Sequence, residues 1–270
     1  MNEERQTMAQ FERLQELLAG MGRVKVAVSG GVDSLTLSLI AGRVLGGDAF
    51  MFHALSAAVP SAATRRVERL AAREGWALRL VDAGELRDEA YLSNPYRRCF
   101  HCKNNLYRTL GGAPEAVILS GTNADDLDDF RPGLQAAQEH GVRHPFVECG
   151  VDKAGIRRLC RGLGYADIAA LPASPCLSSR VETGVPIDPR ALQFIDRVET
   201  LLRRELEPAV VRCRVRRDCI EVQMDEACLA ALRDTDRWRA RIRRLGAPAG
   251  LPQQVNFEIY RMGSAFVELS

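Results

Sequence analysis

The sequence predicts an α/β protein with a parallel sheet, and three observations lead to this fold class. Short β-branched segments alternate with helical ones through the first part of the chain, and a glycine turn joins the first strand to a helix. The rhythm changes near Pro186 to Pro189, where a long amphipathic helix and mixed strands follow. Alternation of strands and helices gives a parallel sheet that is covered on both faces.

The predicted elements of the first part begin with an N-terminal amphipathic helix that carries Phe11 and Leu14 on its apolar face. Val24, Val26 and Val28 form a short strand, residues 29–34 a glycine turn and residues 35–45 a helix. The elements predicted next are a strand in 49–58, a helix at 63–75, a strand in 77–84, a strand followed by a polar turn in 115–126, and a helix at 153–164.

A small second domain of the α+β type is predicted from residue 188 onward, so that the domains span 1–187 and 188–270. Its elements are a helix at 189–206, strands in 210–216 and 219–224, a basic helix at 234–246, and strands in 255–260 and 265–269.

Composition narrows the class of protein. The chain has 270 residues with a net charge of +2, which argues against a general nucleic-acid binder. It contains no apolar run of the roughly 18 residues that a membrane span needs, and its N-terminus is unlike a signal peptide. We therefore expect a cytoplasmic protein without a membrane partner, whose eight cysteines are thiols or metal ligands.

The segment "VAVSGGVDS" predicts an anion site. Gly30 and Gly31 at a strand-to-helix junction let backbone N–H groups and the helix N-terminus face an anion, and Ser29 and Ser34 add hydroxyl donors. Asp33 is suited to holding Mg²⁺. The segment lacks the lysine of a Walker-type loop and the spacing of a dinucleotide site. The alternative is a tight turn that binds nothing.

Polar residues follow a later strand in "GTNADDLDDFRPG". Asn123, Asp125, Asp126 and Asp129 emerge at the carboxyl edge of the sheet, where α/β proteins bind ligands. The alternative is a solvated acidic turn that caps the next helix.

Cys99 and Cys102 form a C-x-x-C pair in the segment "NPYRRCFHCKNNLY", which we expect to be a polar turn. Such a pair serves a redox couple, half of a zinc site or part of an iron–sulfur ligand set. For zinc, His101 or Cys149 would be the fourth ligand. The residues of this segment alone leave these alternatives open.

The pattern S-G-G-x-D-S after a strand resembles the PP-loop of the ATP pyrophosphatases. Four segments in order, "SGGVDS", "NPYRRCFHCKNNLY", "GTNADDLDDFRPG" and "SPCLSSR", resemble the LarE family of ATP-dependent sulfur transferases within that group. The resemblance covers nearly the whole chain. It implies a PP-loop domain that binds ATP and Mg²⁺ and adenylates a carboxylate of pyridinium-3,5-biscarboxylic acid mononucleotide, a precursor of the nickel-pincer nucleotide. It also implies a homo-oligomer.

The same resemblance implies the source of sulfur. Family members use either a single cysteine that gives up its own sulfur, or three cysteines that hold a [4Fe-4S] cluster carrying an extra sulfide. Cys99, Cys102 and Cys176 favour the cluster, whose free iron corner binds sulfide from a donor.

The resemblance also assigns further residues to the site. Asp129 and Arg131 would face the reaction centre together with Cys176, and Ala54 after the second strand would receive adenine through its backbone. For ATP, the expected site residues also include Gly121, together with the residues of the two loops named above. For the substrate, they are Ser179, Arg180, Arg212, Arg214 and Glu221. His53 is expected to be a packing residue.

Three other functions stay open at this stage. A tRNA thiolase with the same loop and cluster would differ mainly in its substrate. An amide- or nitrile-forming PP-loop enzyme would use a structural zinc, and a regulatory nucleotide-binding module would lack catalysis altogether.

Overall fold

The computed structural model describes residues 2–112, 116–127 and 132–261. The chain divides into two compact units, one formed by residues 1–85 and 99–174 and the other by residues 86–98 and 175–270. We call them unit 1 and unit 2. The domain boundary predicted at residue 188 stays a prediction, because compactness does not test independent folding.

Unit 1 contains the predicted parallel sheet. Its elements, in chain order, are α1 (Asn2–Ala19), β1 (Val24–Ala27), α2 (Val32–Leu45), β2 (Ala49–Ala54), α3 (Ser61–Glu74), β3 (Ala77–Val81), α5 (Arg98–Leu110), β4 (Val117–Ser120), α6 (Pro132–Glu139), α7 (Pro145–Glu148), α8 (Lys153–Gly162) and α9 (Ala166–Ala169). The first residue of α5, Arg98, belongs to unit 2.

All four strands of this sheet run parallel, in the order β3-β2-β1-β4. The fold class predicted from the sequence is therefore confirmed. Strand β1 is central and buried along its whole length. Val24 and Val26 pack into the larger hydrophobic cluster with α1, α2 and α8, whereas Ala27 and Ile118 pack with α5 and α6. Helices therefore cover both faces of the sheet.

Unit 2 contains a separate three-stranded sheet in the order β5-β6-β7, with β5 and β6 antiparallel and β6 and β7 parallel. Its elements are α4 (Glu89–Leu92), α10 (Pro189–Leu206), β5 (Val211–Val215), β6 (Ile220–Met224), α11 (Glu226–Ala231), α12 (Thr235–Gly246) and β7 (Val255–Ile259). The strand predicted at 265–269 lies outside the described residues.

Among the helices of the described ranges, none combines the length and the apolar character that crossing a membrane requires.

Candidate functional site

The glycine turn after β1 is tightly built. Gly30 has φ of 82°, in the region that favours glycine, and a Cβ atom there would lie 2.9 Å from the Cβ and O atoms of Ala63 in α3. The Ser29 backbone N–H donates to Ser34 Oγ at 3.0 Å, and the two serine hydroxyls are also 3.0 Å apart. Arg66 Nη1 donates to the carbonyl of Gly30 at 2.7 Å. The turn is therefore fixed from both sides.

Helix α2 begins at Val32, three residues earlier than predicted. The Leu35 backbone N–H already donates to the carbonyl of Gly31, because the turn closes after Gly31 and not after Ser34. Asp33 and Ser34 consequently lie in the first turn of α2. The N-cap residue is Gly31, which has no side chain to cap the helix. This helix N-terminus offers backbone donors of the kind that bind anions.

The segment after β4 approaches the same helix N-terminus. A Cβ atom on Gly121 would lie 2.7 Å from the backbone nitrogen of Ser34, so only glycine allows this approach. Asn123 is buried; its Oδ1 accepts from the Asp125 backbone N–H, and its own backbone N–H donates to Asp126 Oδ2 at 3.1 Å. Residues 123–126 are thus joined by hydrogen bonds to one another after β4.

The strand order explains why these two loops meet. The chain runs from β1 outward through β2 to β3 and then returns to place β4 on the other side of β1. The order reverses between β1 and β4, and at such a switch point the loops after the strands leave a crevice where ligands bind. The predicted loop residues from Ser29 to Ser34 and from Gly121 to Asp126 are therefore neighbours.

Lys153 completes this edge of unit 1, and the sequence analysis missed it. Its Nζ lies 2.6 and 2.5 Å from the two carboxylate oxygens of Asp33, and its backbone N–H donates to Asp125 Oδ2 at 3.1 Å. Burial raises the pKa of Asp33, and Asp126 adds to the rise, while the contact with Lys153 opposes both. One signal was present in the sequence: a lysine at the start of a helix opposes the helix dipole and needs a reason.

His53 is a packing residue in its contacts. It is 1% exposed, with Nδ1 2.8 Å from the carbonyl of Val28 and Nε2 2.9 Å from Thr64 Oγ1. Burial lowers its pKa, which favours the neutral ring. Ala54 is the last residue of β2, at the same edge of the sheet. Asp129 and Arg131, predicted to face the reaction centre, lie outside the described residues.

The C-x-x-C pair lies in a helix, so the prediction of a polar turn is wrong. Cys99 and Cys102 occupy the first turns of α5, and their spacing of three residues places them on one side of it. Cys99 is exposed and Cys102 is partly exposed. A helix N-terminus favours thiolates, the form in which cysteine binds metals.

Cys176 is exposed and directly precedes a short 3₁₀ helix, Leu177–Arg180. Its carbonyl accepts from Ser179 Oγ at 2.7 Å and from Arg180 Nη1 at 3.1 Å. Arg180 is buried, and its other nitrogens contact Glu199. The guanidinium thereby holds the chain around Cys176, and the predicted contact of Arg180 with substrate stays a prediction.

Within unit 2, the chain that leads to Cys99 is tied to the chain that follows Cys176. Tyr91 Oη is 2.5 Å from Ser178 Oγ, and Asn94 Nδ2 donates at 2.8 Å to the carbonyls of Glu182 and Val185. Asn94 is fully buried and adopts φ of 52°, which asparagine tolerates better than most residues. These contacts fix residues 91–94 and 178–185 as one substructure.

The other cysteines are mostly buried. Cys149, Cys160 and Cys213 pack inside, while Cys219 and Cys228 are partly exposed. Burial raises the pKa of each of these five thiols. Within the described ranges no group of three or more His, Cys, Asp or Glu side chains is arranged to hold a metal ion. Cys99 and Cys102 belong to unit 1 and Cys176 to unit 2, and a cluster shared by them stays a prediction.

A polar surface covers one side of the β5–β6 pair. Arg212 is paired with Gln223 and Arg214 with Glu221 in the strand register, so these side chains share a face. Arg214 is buried and donates to Gln223 Oε1 at 2.8 Å and to the carbonyl of Ser179 at 3.2 Å. Glu221 accepts from Arg216 at 3.2 Å. Ser179 thus links the predicted substrate arginine to the Cys176 segment.

A doubly wound parallel sheet with polar loops at its switch point places the chain in the α/β class. The chain is 37% identical over 205 residues to an uncharacterized protein of Synechocystis sp., covering 73% of this chain and 74% of that protein. It therefore belongs to the same family as the Synechocystis protein.

Two further relatives extend the comparison. An uncharacterized protein of Methanocaldococcus jannaschii is 24% identical over 243 residues, covering 88% of this chain and 91% of that protein. The pyridinium-3,5-bisthiocarboxylic acid mononucleotide synthase of Lactiplantibacillus plantarum is 28% identical over 215 residues, covering 78% of this chain and 77% of the synthase. The chain is thus similar to this synthase along about three quarters of its length. No protein-family model matches the chain.

Proposed function

We propose that the chain is an ATP-dependent sulfur transferase of nickel-pincer nucleotide biosynthesis. It adenylates a carboxylate of pyridinium-3,5-biscarboxylic acid mononucleotide and replaces an oxygen with sulfur. The observation that carries the proposal is the crevice between the loops after β1 and β4, where serine hydroxyls, a helix N-terminus and carboxylates come together. The similarity of this chain to the synthase of Lactiplantibacillus plantarum supports the same function.

The first half-reaction is adenylation. A carboxylate oxygen of the substrate attacks the α-phosphorus of ATP, the new P–O bond forms, and pyrophosphate leaves. Ser29, Ser34 and the N-terminal amides of α2 are suited to stabilising the departing pyrophosphate. Asp33 and Asp126, whose carboxylates are close enough for Asp126 to raise the pKa of Asp33, would hold Mg²⁺, which would offset the negative charge of the phosphates.

The second half-reaction is sulfur transfer. A sulfur nucleophile attacks the acyl carbon, the C–O bond to AMP breaks, and a thiocarboxylate results. Cys99, Cys102 and Cys176 are the proposed ligands of a [4Fe-4S] cluster, which would supply a metal-bound sulfide as nucleophile. Two exposed thiols and a partly exposed one suit this role better than the five cysteines whose thiol pKa is raised by burial.

Contacts within unit 2 join the chain that precedes Cys99 to the chain that follows Cys176. Cys99 follows Arg98 directly, and the Arg98 guanidinium donates to Asn94 Oδ1 at 2.8 Å. Asn94 in turn holds residues 182–185, a few positions after Cys176. Residues 94 and 98 are therefore tied to residues 182 and 185 within unit 2, and convergence of the three thiols is part of the proposal.

The test uses anaerobically reconstituted full-length protein with ATP, Mg²⁺, sulfide and the biscarboxylated pyridinium nucleotide. We expect AMP, pyrophosphate and a thiolated nucleotide in equal amounts. Product formed with tRNA and not with the pyridinium nucleotide would instead identify a tRNA thiolase. If neither the pyridinium nucleotide nor tRNA causes release of pyrophosphate from ATP, the proposal is contradicted.

The cluster is tested separately by iron and sulfide analysis. We expect Cys99→Ser, Cys102→Ser and Cys176→Ser each to lower bound iron strongly, while Cys228→Ser retains it. Cys176→Ser should still release pyrophosphate, because adenylation precedes sulfur transfer. A colourless wild-type protein that holds one zinc would exclude the cluster.

A further inference from the structure

Lys153 and Asp33 form an ion pair between residues 120 positions apart in the chain. Nζ contacts both carboxylate oxygens, at 2.6 and 2.5 Å, and the two side chains are 34% and 25% exposed. The pair therefore faces the crevice and is not sealed within the core. Both residues lie at the N-terminal ends of helices: Asp33 is in the first turn of α2, and Lys153 is the first residue of α8.

The position of Lys153 is fixed by both loops of the crevice. Its backbone N–H donates to Asp125 Oδ2, and the preceding segment is tied to the same loop by the Ala124 N–H, which donates to the Val151 carbonyl at 3.1 Å. Its side chain reaches the first turn of α2 after β1. The backbone of Lys153 is thus held by the loop after β4, while its ammonium group contacts the first turn of α2.

The chemistry of the pair explains why a lysine is placed here. The loop of residues 29–34 contains no lysine, although triphosphate sites commonly use one as a point charge on a flexible stem. Without a ligand, the Asp33 carboxylate would repel an entering phosphate, and Lys153 neutralises it. With a ligand, Mg²⁺ and phosphate offer each partner a stronger counter-charge.

We propose that Lys153 is the phosphate-binding cation of this crevice, and that binding of a magnesium nucleotide makes it exchange Asp33 for a phosphate oxygen while Asp33 turns to the metal. This inference rests on the proposed function, because it assigns a residue and a ligand-dependent exchange to the same ATP site. The lysine that the loop lacks is supplied by α8.

The proposal predicts opposite effects for the two partners. Lys153→Met removes the cation and leaves the carboxylate, so metal-free pyrophosphate should bind about 10- to 100-fold more weakly, as expected for loss of a charge-assisted contact. Asp33→Asn frees the lysine, so metal-free pyrophosphate should bind more tightly than to the wild type, while Mg²⁺ no longer strengthens binding. If the ion pair had only a structural role, neither variant would bind metal-free pyrophosphate more tightly than the wild type.

The experiment measures binding of pyrophosphate and of ATP by calorimetry, with and without Mg²⁺. Lys153→Arg keeps the charge and should retain most of the affinity, whereas Arg161→Met, an exposed change on the same helix, should bind like the wild type. Circular dichroism melting of each variant establishes that it is folded.

Two results would overturn the inference. Wild-type affinity in Lys153→Met shows that the lysine does not bind phosphate, and weaker metal-free binding in Asp33→Asn shows that no exchange occurs; either leaves the proposed function standing. If the wild type binds neither pyrophosphate nor ATP, the proposed nucleotide site fails and this inference fails with it.

Discussion

Arg180 and Glu199 form a buried bidentate ion pair, with Nε 3.0 Å from Oε1 and Nη2 3.3 Å from Oε2. Each side chain is only 1% exposed. The third nitrogen of Arg180 donates to the carbonyls of Pro175 and Cys176 at 2.8 and 3.1 Å, and Glu199 also accepts from the backbone N–H of Cys213. Glu199 thus determines where Arg180 lies, and Arg180 determines where the backbone of Cys176 lies.

Glu199→Gln should destabilise the protein substantially. The change leaves a buried guanidinium without its counter-charge, a loss that costs about 3–5 kcal/mol in buried pairs. Urea unfolding measures the free energy of unfolding. The matched control is Glu205→Gln, which breaks a surface pair with Arg241 and should change stability little. Equal losses in the two variants would show that the buried pair has no special role.

The same carboxylate predicts a dependence of stability on pH. Burial opposes ionisation of Glu199, but Arg180 and Arg203 outweigh it, so its pKa in the folded protein lies below the ordinary value of 4.5. Its contribution to stability is therefore complete above pH 4.5 and is lost as the pH falls through the lower, folded-state pKa. The difference in stability between wild type and Glu199→Gln should shrink in urea titrations below pH 4.5. A constant difference down to pH 3 would contradict this assignment.

Gly121→Ala should impair the crevice. The added methyl group would lie 2.7 Å from the backbone nitrogen of Ser34, and a backbone cannot yield as a flexible side chain can. Overpacking of this kind costs about 1–3 kcal/mol, and the displaced helix N-terminus should bind ATP more weakly. Gly47→Ala is the control, because its Cβ would meet nothing within 4 Å. Normal ATP affinity in Gly121→Ala would contradict the close approach of the two loops.

His53→Ala tests whether that residue packs or catalyses. Loss of the ring removes contacts with the Val28 carbonyl and the Thr64 hydroxyl, and about 2–4 kcal/mol of stability should be lost. At a temperature where the variant is folded, kcat should stay near the wild-type value. His53→Gln, which can retain one of these hydrogen bonds, should be less damaged. A large fall in kcat without loss of stability would make His53 catalytic.

Local patterns predicted much of the fold. Helix α10 has the predicted bounds because Asp188 caps it, with Oδ1 2.8 Å from the Arg190 backbone nitrogen, and Pro189 is pre-organised as its first residue. In the C-x-x-C segment, local signals of the same kind were taken for a turn along the whole segment, although they mark only where a helix begins. Asn94 and Pro95 indicate a turn, but Pro95 accepts from the Arg98 N–H and the turn leads directly into α5.

Contacts between distant residues were beyond the sequence alone. Arg66 on Gly30, Lys153 on Asp33 and Glu199 on Arg180 each join different elements, and nothing in the local pattern of one residue names its partner. The charges of these residues are also common on helix surfaces, where most need no partner. Only the strand order and the burial of each side chain distinguish them.

The environment of Arg214 predicts that this residue binds an anionic group of the substrate. It is 4% exposed, its hydrogen bonds to Gln223 and the Ser179 carbonyl use neutral acceptors, and burial together with Arg216 and Arg180 lowers its pKa to about 10. Glu221 lies opposite Arg214 and opposes this lowering without reversing it. A desolvated cation whose hydrogen bonds go to neutral acceptors favours an anionic ligand, such as the phosphate or carboxylate of the proposed substrate. Arg214→Met should therefore raise KM for the pyridinium nucleotide by about 10- to 100-fold, and loss of the donor to Gln223 and Ser179 should also cost about 1–3 kcal/mol of stability. The exposed Arg217→Met should change neither quantity. KM is the quantity that discriminates: a variant that loses stability and keeps its KM would show that Arg214 supports the sheet and does not bind substrate.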